Sequence, residues 1–173
     1  LGSLTLTPRT AEAATRLELS LKGDDSAFPR ARLSIDSRSL ADLREGVLSA
    51  FEGEAARLEK LEGTALLQAE ARFENADSWG LEGRLQLGAV AAAVPDFSIE
   101  GLGLDLPFDL ARRDGVTTGP PLEGLLTVQS SLLRDLRLPA IRSRLAIEAD
   151  AASLVEPLSL ELLGGRVTLH RLP

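Results

Sequence analysis

Leu67-Gln68-Ala69-Glu70-Ala71-Arg72-Phe73 is followed, after Glu74-Asn75-Ala76-Asp77, by Trp79-Gly80-Leu81-Glu82-Gly83-Arg84-Leu85-Gln86-Leu87. In both runs every second residue is apolar or glycine, and charged or amide residues fill most of the places between. Successive side chains of an extended strand point to opposite faces, so this period of two marks strands with one apolar face. Glu74-Asn75-Ala76-Asp77, four of the five residues between the runs, supply a turn. The same alternation starts at Leu4 and Leu6, continues through Leu17, Leu19 and Leu21, and returns at Leu33 and Ile35. Lys22-Gly23-Asp24-Asp25 and Phe28-Pro29 supply turn chemistry there.

Downstream, Ala89 to Val94 suits either a short helical turn or a buried strand, and Pro95 ends it. Phe97 and Ile99 lead to Leu102, Leu104, Leu106, Phe108 and Leu110, and the skipped beat at Gly101 predicts a bulge. Asp114-Gly115 is a hairpin signal, and Gly119-Pro120-Pro121 reads as a loop within one sheet. Leu126 and Val128 precede a short helix or irregular stretch through Leu136. Leu145 and Ile147, then Leu158, Leu160 and Leu162, then Val167 and Leu169 resume the alternation, with Gly164-Gly165 closing a last hairpin.

One segment departs from this period. Leu40, Leu43, Val47, Phe51, Ala55, Leu58 and Leu61 recur in steps of three and four, which predicts one long amphipathic helix at about 39–61. Ser39 and Asp42 resemble a capping box, Gly63 fits the stop, and Gly46 and Gly53 are tolerated inside. The expected class is mainly β: a largely antiparallel sheet with that helix, in a single domain over 1–173.

Composition narrows the function. The 173 residues are enough for a packed core without disulfide or metal staples. The net charge is −7 and only Lys22 and Lys60 are lysines, so no concentrated basic patch for nucleic acid or an anionic surface is expected. Aromatic residues are 3% of the chain, too few for a base-stacking platform. There is no cysteine, so redox compartment is left open. The chain has no methionine, which reads as a fragment of a larger protein, and no run of about 20 apolar residues that would span a bilayer.

Catalytic and metal constellations are thin. His170 is the one histidine and no Gly-x-Ser-x-Gly elbow supports a triad around it. One histidine without cysteine makes a poor zinc site. Asp24 with Asp25, Asp105 with Asp109, and Glu148 with Asp150 are the carboxylate pairs, and each reads first as turn or solvated-face chemistry. Gly101-Leu102-Gly103 lacks the remainder of a dinucleotide fingerprint. The expectation is a non-enzyme without cofactor or metal. Two readings of the aliphatic face remain: a curled sheet plugged by the helix, or a half-open sheet whose concave face holds acyl chains.

The carboxy-terminal stretch, Leu138-Pro139-Ala140-Ile141-Arg142-Ser143-Arg144-Leu145-Ala146-Ile147-Glu148-Ala149 and then Leu158-Ser159-Leu160-Glu161-Leu162-Leu163-Gly164-Gly165-Arg166-Val167-Thr168-Leu169-His170-Arg171-Leu172-Pro173, resembles the AsmA-like superfamily, in particular its YdbH-type branch with TamB relatives. It covers roughly the last third of the chain. The resemblance implies a periplasmic segment of an inner-membrane-anchored lipid-transfer protein, with the anchor outside this chain. It implies a curved β-taco or half-barrel whose groove carries phospholipid acyl chains between inner and outer membrane. The groove residues would be Leu102, Leu104, Leu106, Phe108, Leu145, Ile147, Leu158, Leu160, Leu162, Val167 and Leu169. Partners would be phospholipid, neighbouring repeats of the same protein and other envelope proteins. The alternatives are a structural or interaction module of an envelope protein with a closed core, and a lipoprotein-carrier-like soluble lipid-binding domain.

Overall fold

Alternating aliphatic and charged residues favour extended chain, and the turn residues between them fold each strand back on its predecessor. The computed structural model describes residues 2–6, 15–24, 27–41, 58–75, 77–148, 152–162 and 164–169. The strands are β1 (Gly2–Leu6), β2 (Thr15–Asp24), β3 (Ala27–Ser37), β4 (Lys60–Phe73), β5 (Trp79–Val94), β6 (Phe97–Arg113), β7 (Val116–Thr118), β8 (Leu122–Val128), β9 (Ser130–Leu133), β10 (Leu136–Leu138), β11 (Ile141–Ile147), β12 (Ala152–Leu154), β13 (Leu158–Leu162) and β14 (Gly165–Leu169). The first twelve form one antiparallel sheet in the order β1-β2-β3-β4-β5-β6-β8-β11-β12, and β13 and β14 form a separate pair.

The topology is a meander: β1 to β6 pair in sequence order, and β8, β11 and β12 continue the path. β7, β8 and β9 run one after another along the same edge of β6, with Val116 opposite Arg113, Leu126 opposite Leu104 and Leu133 opposite Phe97. They are in effect one interrupted strand, and Gly119-Pro120-Pro121 is the loop within the sheet that the sequence predicts. β10 and β11 likewise continue each other along β9 and β8, with Leu136 opposite Leu133 and Ile141 opposite Val128. The sheet does not close into a barrel. Its path ends at β1 and β12.

The 14, 16 and 17 residues of β4, β5 and β6 make long central strands, well beyond the usual five or six. Asp114-Gly115 turns β6 into β7 with both residues at positive φ. Between β4 and β5 the Asp77 amide donates to Asn75 Oδ1 at 2.8 Å and the Glu74 amide to the Ser78 carbonyl at 2.9 Å.

Irregularities line up across the middle strands. Gly63 in β4 has φ +120°, Ala89 in β5 has φ +49°, and Gly101 in β6 has φ +62°. The pairing registers shift between Glu62 and Thr64 and between Leu87 and Val90. The bulge predicted at Gly101 is present, because Val90 faces Leu102 while Ala92 faces Ile99. Gln129, beside Gly101, separates β8 from β9, and Pro139-Ala140 separates β10 from β11. A proline fits there because it has no amide to give to a ladder.

Three expectations are corrected. The long helix at 39–61 is not supported. Among the described residues only Leu40 and Ala41 are helical, residues 42–57 lie outside them, and Lys60 and Leu61 already pair with Ala93 and Ala92. Gly63, read as a helix stop, instead supplies positive φ where β4 meets the bulge at Val90. Phe28-Pro29 belongs to β3 rather than to a turn. The irregular or helical stretch before Leu136 is β9 and β10, because Ser131 and Leu133 continue the alternation against Ile99 and Phe97. Ala89 to Val94, left open by its composition, is the end of β5.

Gly83 sits where a side chain has no room: an added Cβ would meet the Gln68 carbonyl and lie 2.5 Å from Phe108 Cζ. Gly83→Ala is expected to lower stability by about 1–3 kcal/mol. Ala89→Gly, which relieves a left-handed alanine, is expected to raise it by about 1 kcal/mol. Urea unfolding of both variants beside the parent checks the opposite signs.

Candidate functional site

Residues directly opposite each other in an antiparallel pair share a face. Ile35 faces Leu67, Leu67 faces Leu85 and Leu85 faces Leu106, giving an unbroken aliphatic row across β3, β4, β5 and β6. A parallel row runs through Ala65, Leu87, Leu104 and Leu126 to Ser143. Gly124 lies beside Leu106, and beyond it Leu145 pairs with Leu154. Strands are about 4.8 Å apart, so the nine-strand path extends the apolar face about 38 Å across the strands.

This face is neither dry nor fully open. Ile35, Leu67, Leu85, Leu104, Leu106 and Leu126 are all half-buried. The buried hydrophobic side chains among the described residues are Leu40, Val90, Val128, Leu145 and Leu154. Val90 and Val128 lie beside the line of irregularities, where neighbouring strands crowd them.

The opposite face is charged and tied across strands. Arg32 donates to Glu70 at 2.8 Å, Arg72 to Glu70 at 3.4 Å and to Glu82 at 2.6 Å, forming a chain over β3, β4 and β5. Arg84 grips both oxygens of Asp105, at 2.6 and 2.5 Å. Arg144 bridges Glu123 at 3.1 Å and Glu156 at 2.8 Å. The hydrogen bond from Arg32, with Arg72 assisting, holds the Glu70 carboxyl below its ordinary range. That from Arg84 does the same for Asp105, with Gln86 contributing. The depression lined by Arg32, Glu70 and Glu82 belongs to this ion-paired surface. Of the candidate carboxylates, Asp105 is therefore engaged by Arg84; Asp25, Asp150 and His170 lie outside the described residues. No group of side chains suited to a metal ion occurs among the described residues.

The eleven expected groove residues divide into two sets. Leu102, Leu104, Leu106, Phe108 and Leu145 share the apolar face of the large sheet, and the register places Ile147 in line with them opposite Leu122. Leu158, Leu160, Leu162, Val167 and Leu169 lie in the separate β13–β14 hairpin, where Leu158 faces Leu169 and Leu160 faces Val167. Val167 and Leu169 are 54% and 41% exposed, so that hairpin leaves apolar surface uncovered. The face also takes in Ile35, Leu67, Leu85, Leu87 and Leu126, which the alternation marks as apolar without showing that they join one surface. Register supplies that link.

The arrangement defines a class: an open antiparallel meander with one aliphatic face and one ion-paired face. No protein-family model, curated protein or solved structure matches the chain.

The Asp105 and Glu70 shifts have a definite sign. A carboxyl whose pKa is depressed in the folded state contributes stability above its unfolded pKa and loses it as pH falls through the folded value. Asp105→Asn is expected to show its largest deficit in urea midpoint at neutral pH. That deficit should shrink as pH is lowered below about 4, and also in high salt, because these groups are exposed.

Proposed function

We propose that this chain is a segment of a lipid-transfer protein of the bacterial periplasm, in which the apolar face forms a groove for phospholipid acyl chains. The observation that carries this reading is the half-buried leucine rows running across a sheet that does not close on itself. Acyl chains need apolar contact and no directional partner. Each methylene shielded from water contributes about 0.8 kcal/mol, so a row of leucines is a sufficient binding element. The mechanism is passive: chains slide along the rows and no bond is made or broken.

Curvature of the taco or half-barrel kind is part of the proposal. Bulged strands bend and twist more strongly. Irregularities at Gly63, Ala89, Gly101, Gln129 and Pro139-Ala140 on neighbouring strands favour one crease that turns the lower strand ends over the apolar face. The AsmA-like resemblance of the last third of the chain agrees with this reading, and so does an acidic, arginine-paired outer surface that stays in water. Neighbouring segments of the same protein would continue the groove, within an inner-membrane-anchored assembly.

A photo-crosslinking residue at Leu106 is expected to capture phospholipid in cells, while the same residue at Glu82, on the charged face, captures none. Leu106→Asp is expected to reduce co-purifying lipid at least about tenfold, since a carboxylate against acyl chains is strongly disfavoured. Equal capture at the two positions, or full lipid retention in a folded Leu106→Asp protein, would overturn the groove and favour a structural module.

A further inference from the structure

The last row of the apolar face, at the rim where β4 turns into β5 and β6 into β7, differs from all the others. Phe73 faces Trp79, Trp79 faces Arg112, and Arg112 faces Thr117. Trp79 is the only tryptophan in the chain. Arg112 is the one charged residue whose register places it on the apolar face of the large sheet among the described residues. Arg32, Arg72 and Arg84 in the central strands alternate onto the charged face and are ion-paired there. Arg112 is exposed, and its side chain has no ion-pair or hydrogen-bond partner among the described residues. Leu110 and Leu81, opposite each other, begin the aliphatic surface one step further in.

An unpaired cation beside Trp79, in one row with Phe73, at the edge of a leucine surface matches the anatomy of an amphiphile. Indole sits well where apolar and aqueous regions meet, with its ring against hydrocarbon and its N–H available to an oxygen. A guanidinium presents a planar fork of donors that fits phosphate oxygens two at a time. We propose that Arg112 receives the phosphate of a glycerophospholipid, with Trp79 and Phe73 at the level of the ester linkages and the acyl chains laid inward over Leu81, Leu110 and the rows beyond. This rests on the acyl-chain reading above and adds to it a fixed position for the headgroup. The groove would then select its cargo by headgroup charge as well as by hydrocarbon.

The test separates the two ideas by offering lipids with identical chains. The full chain is incubated with vesicles containing dioleoylphosphatidylglycerol and dioleoylglycerol, re-isolated, and its bound lipid counted by native mass spectrometry. The parent should take the phosphate-bearing lipid in preference. Arg112→Gln should lower the phospholipid-to-diacylglycerol ratio by about tenfold, the scale of one charge-assisted hydrogen bond, while total lipid is retained. Arg112→Lys should fall between, having charge without the fork. Arg113→Gln, the next residue and on the opposite face, should match the parent. An unchanged ratio in a folded Arg112→Gln protein, with lipid still bound, overturns the headgroup site and leaves the groove standing. No uptake of either lipid by the parent overturns both.

Discussion

Because side chains alternate along a strand, a one-residue slip in any pairing carries that strand's leucines to the charged face and its arginines to the apolar one. Every other feature of this sheet depends on avoiding that slip. The central registers hold from Phe73 opposite Trp79 to Ala65 opposite Leu87, and from Leu81 opposite Leu110 to Leu87 opposite Leu104. Where a strand carries an extra residue, its neighbour compensates: the surplus in β5 around Ala89 is followed by one in β6 at Gly101, and Leu61, Ala92 and Ile99 stay in line beyond it.

Two devices help to hold the register. The first is electrostatic. Arg84 gripping Asp105 and Arg32, Arg72 and Glu82 converging around Glu70 are cross-strand pairs that a slip would break. Exposed ion pairs contribute little stability individually, and their larger effect is to penalise wrong pairings. The second is steric. Gly83 has its place filled by the Phe108 ring from the neighbouring strand, so the ring marks one alignment of β5 against β6. Arginine in place of lysine suits the first device, because its fork is directional.

The same alternation that sorts the faces makes exceptions conspicuous. Buried Ser37, Ser131 and Ser143 sit in otherwise aliphatic rows as small uncharged groups, and Ser37 Oγ satisfies itself on the Ser39 carbonyl at 2.9 Å. Arg112 is a different kind of exception, a full charge at the rim, where water still reaches it. A charge placed one row further in, at Leu110, would lie opposite Leu81.

The sequence by itself determined most of the strands, the hairpin at Asp114-Gly115, the bulge at Gly101 and the separation of leucine from charge, because each is a local property of alternation or of a residue's allowed φ. Its steps of three and four carried a helix through 39–61, and at the end of that span nothing local reveals that Lys60 and Leu61 find partners in Ala93 and Ala92 some thirty residues on. The family resemblance placed Leu158, Leu160, Leu162, Val167 and Leu169 beside the leucines of β6, and periodicity could not check that, since it says which residues share a strand's face and not which strands share a sheet. Only the tertiary structure decided that β13 and β14 stand apart, that Ile35, Leu67, Leu85 and Leu106 form one row, and that Arg112 lies on the leucine side beside Trp79. Those are facts of register between distant segments, set by pairings summed over whole strands, and no single stretch of chain carries them.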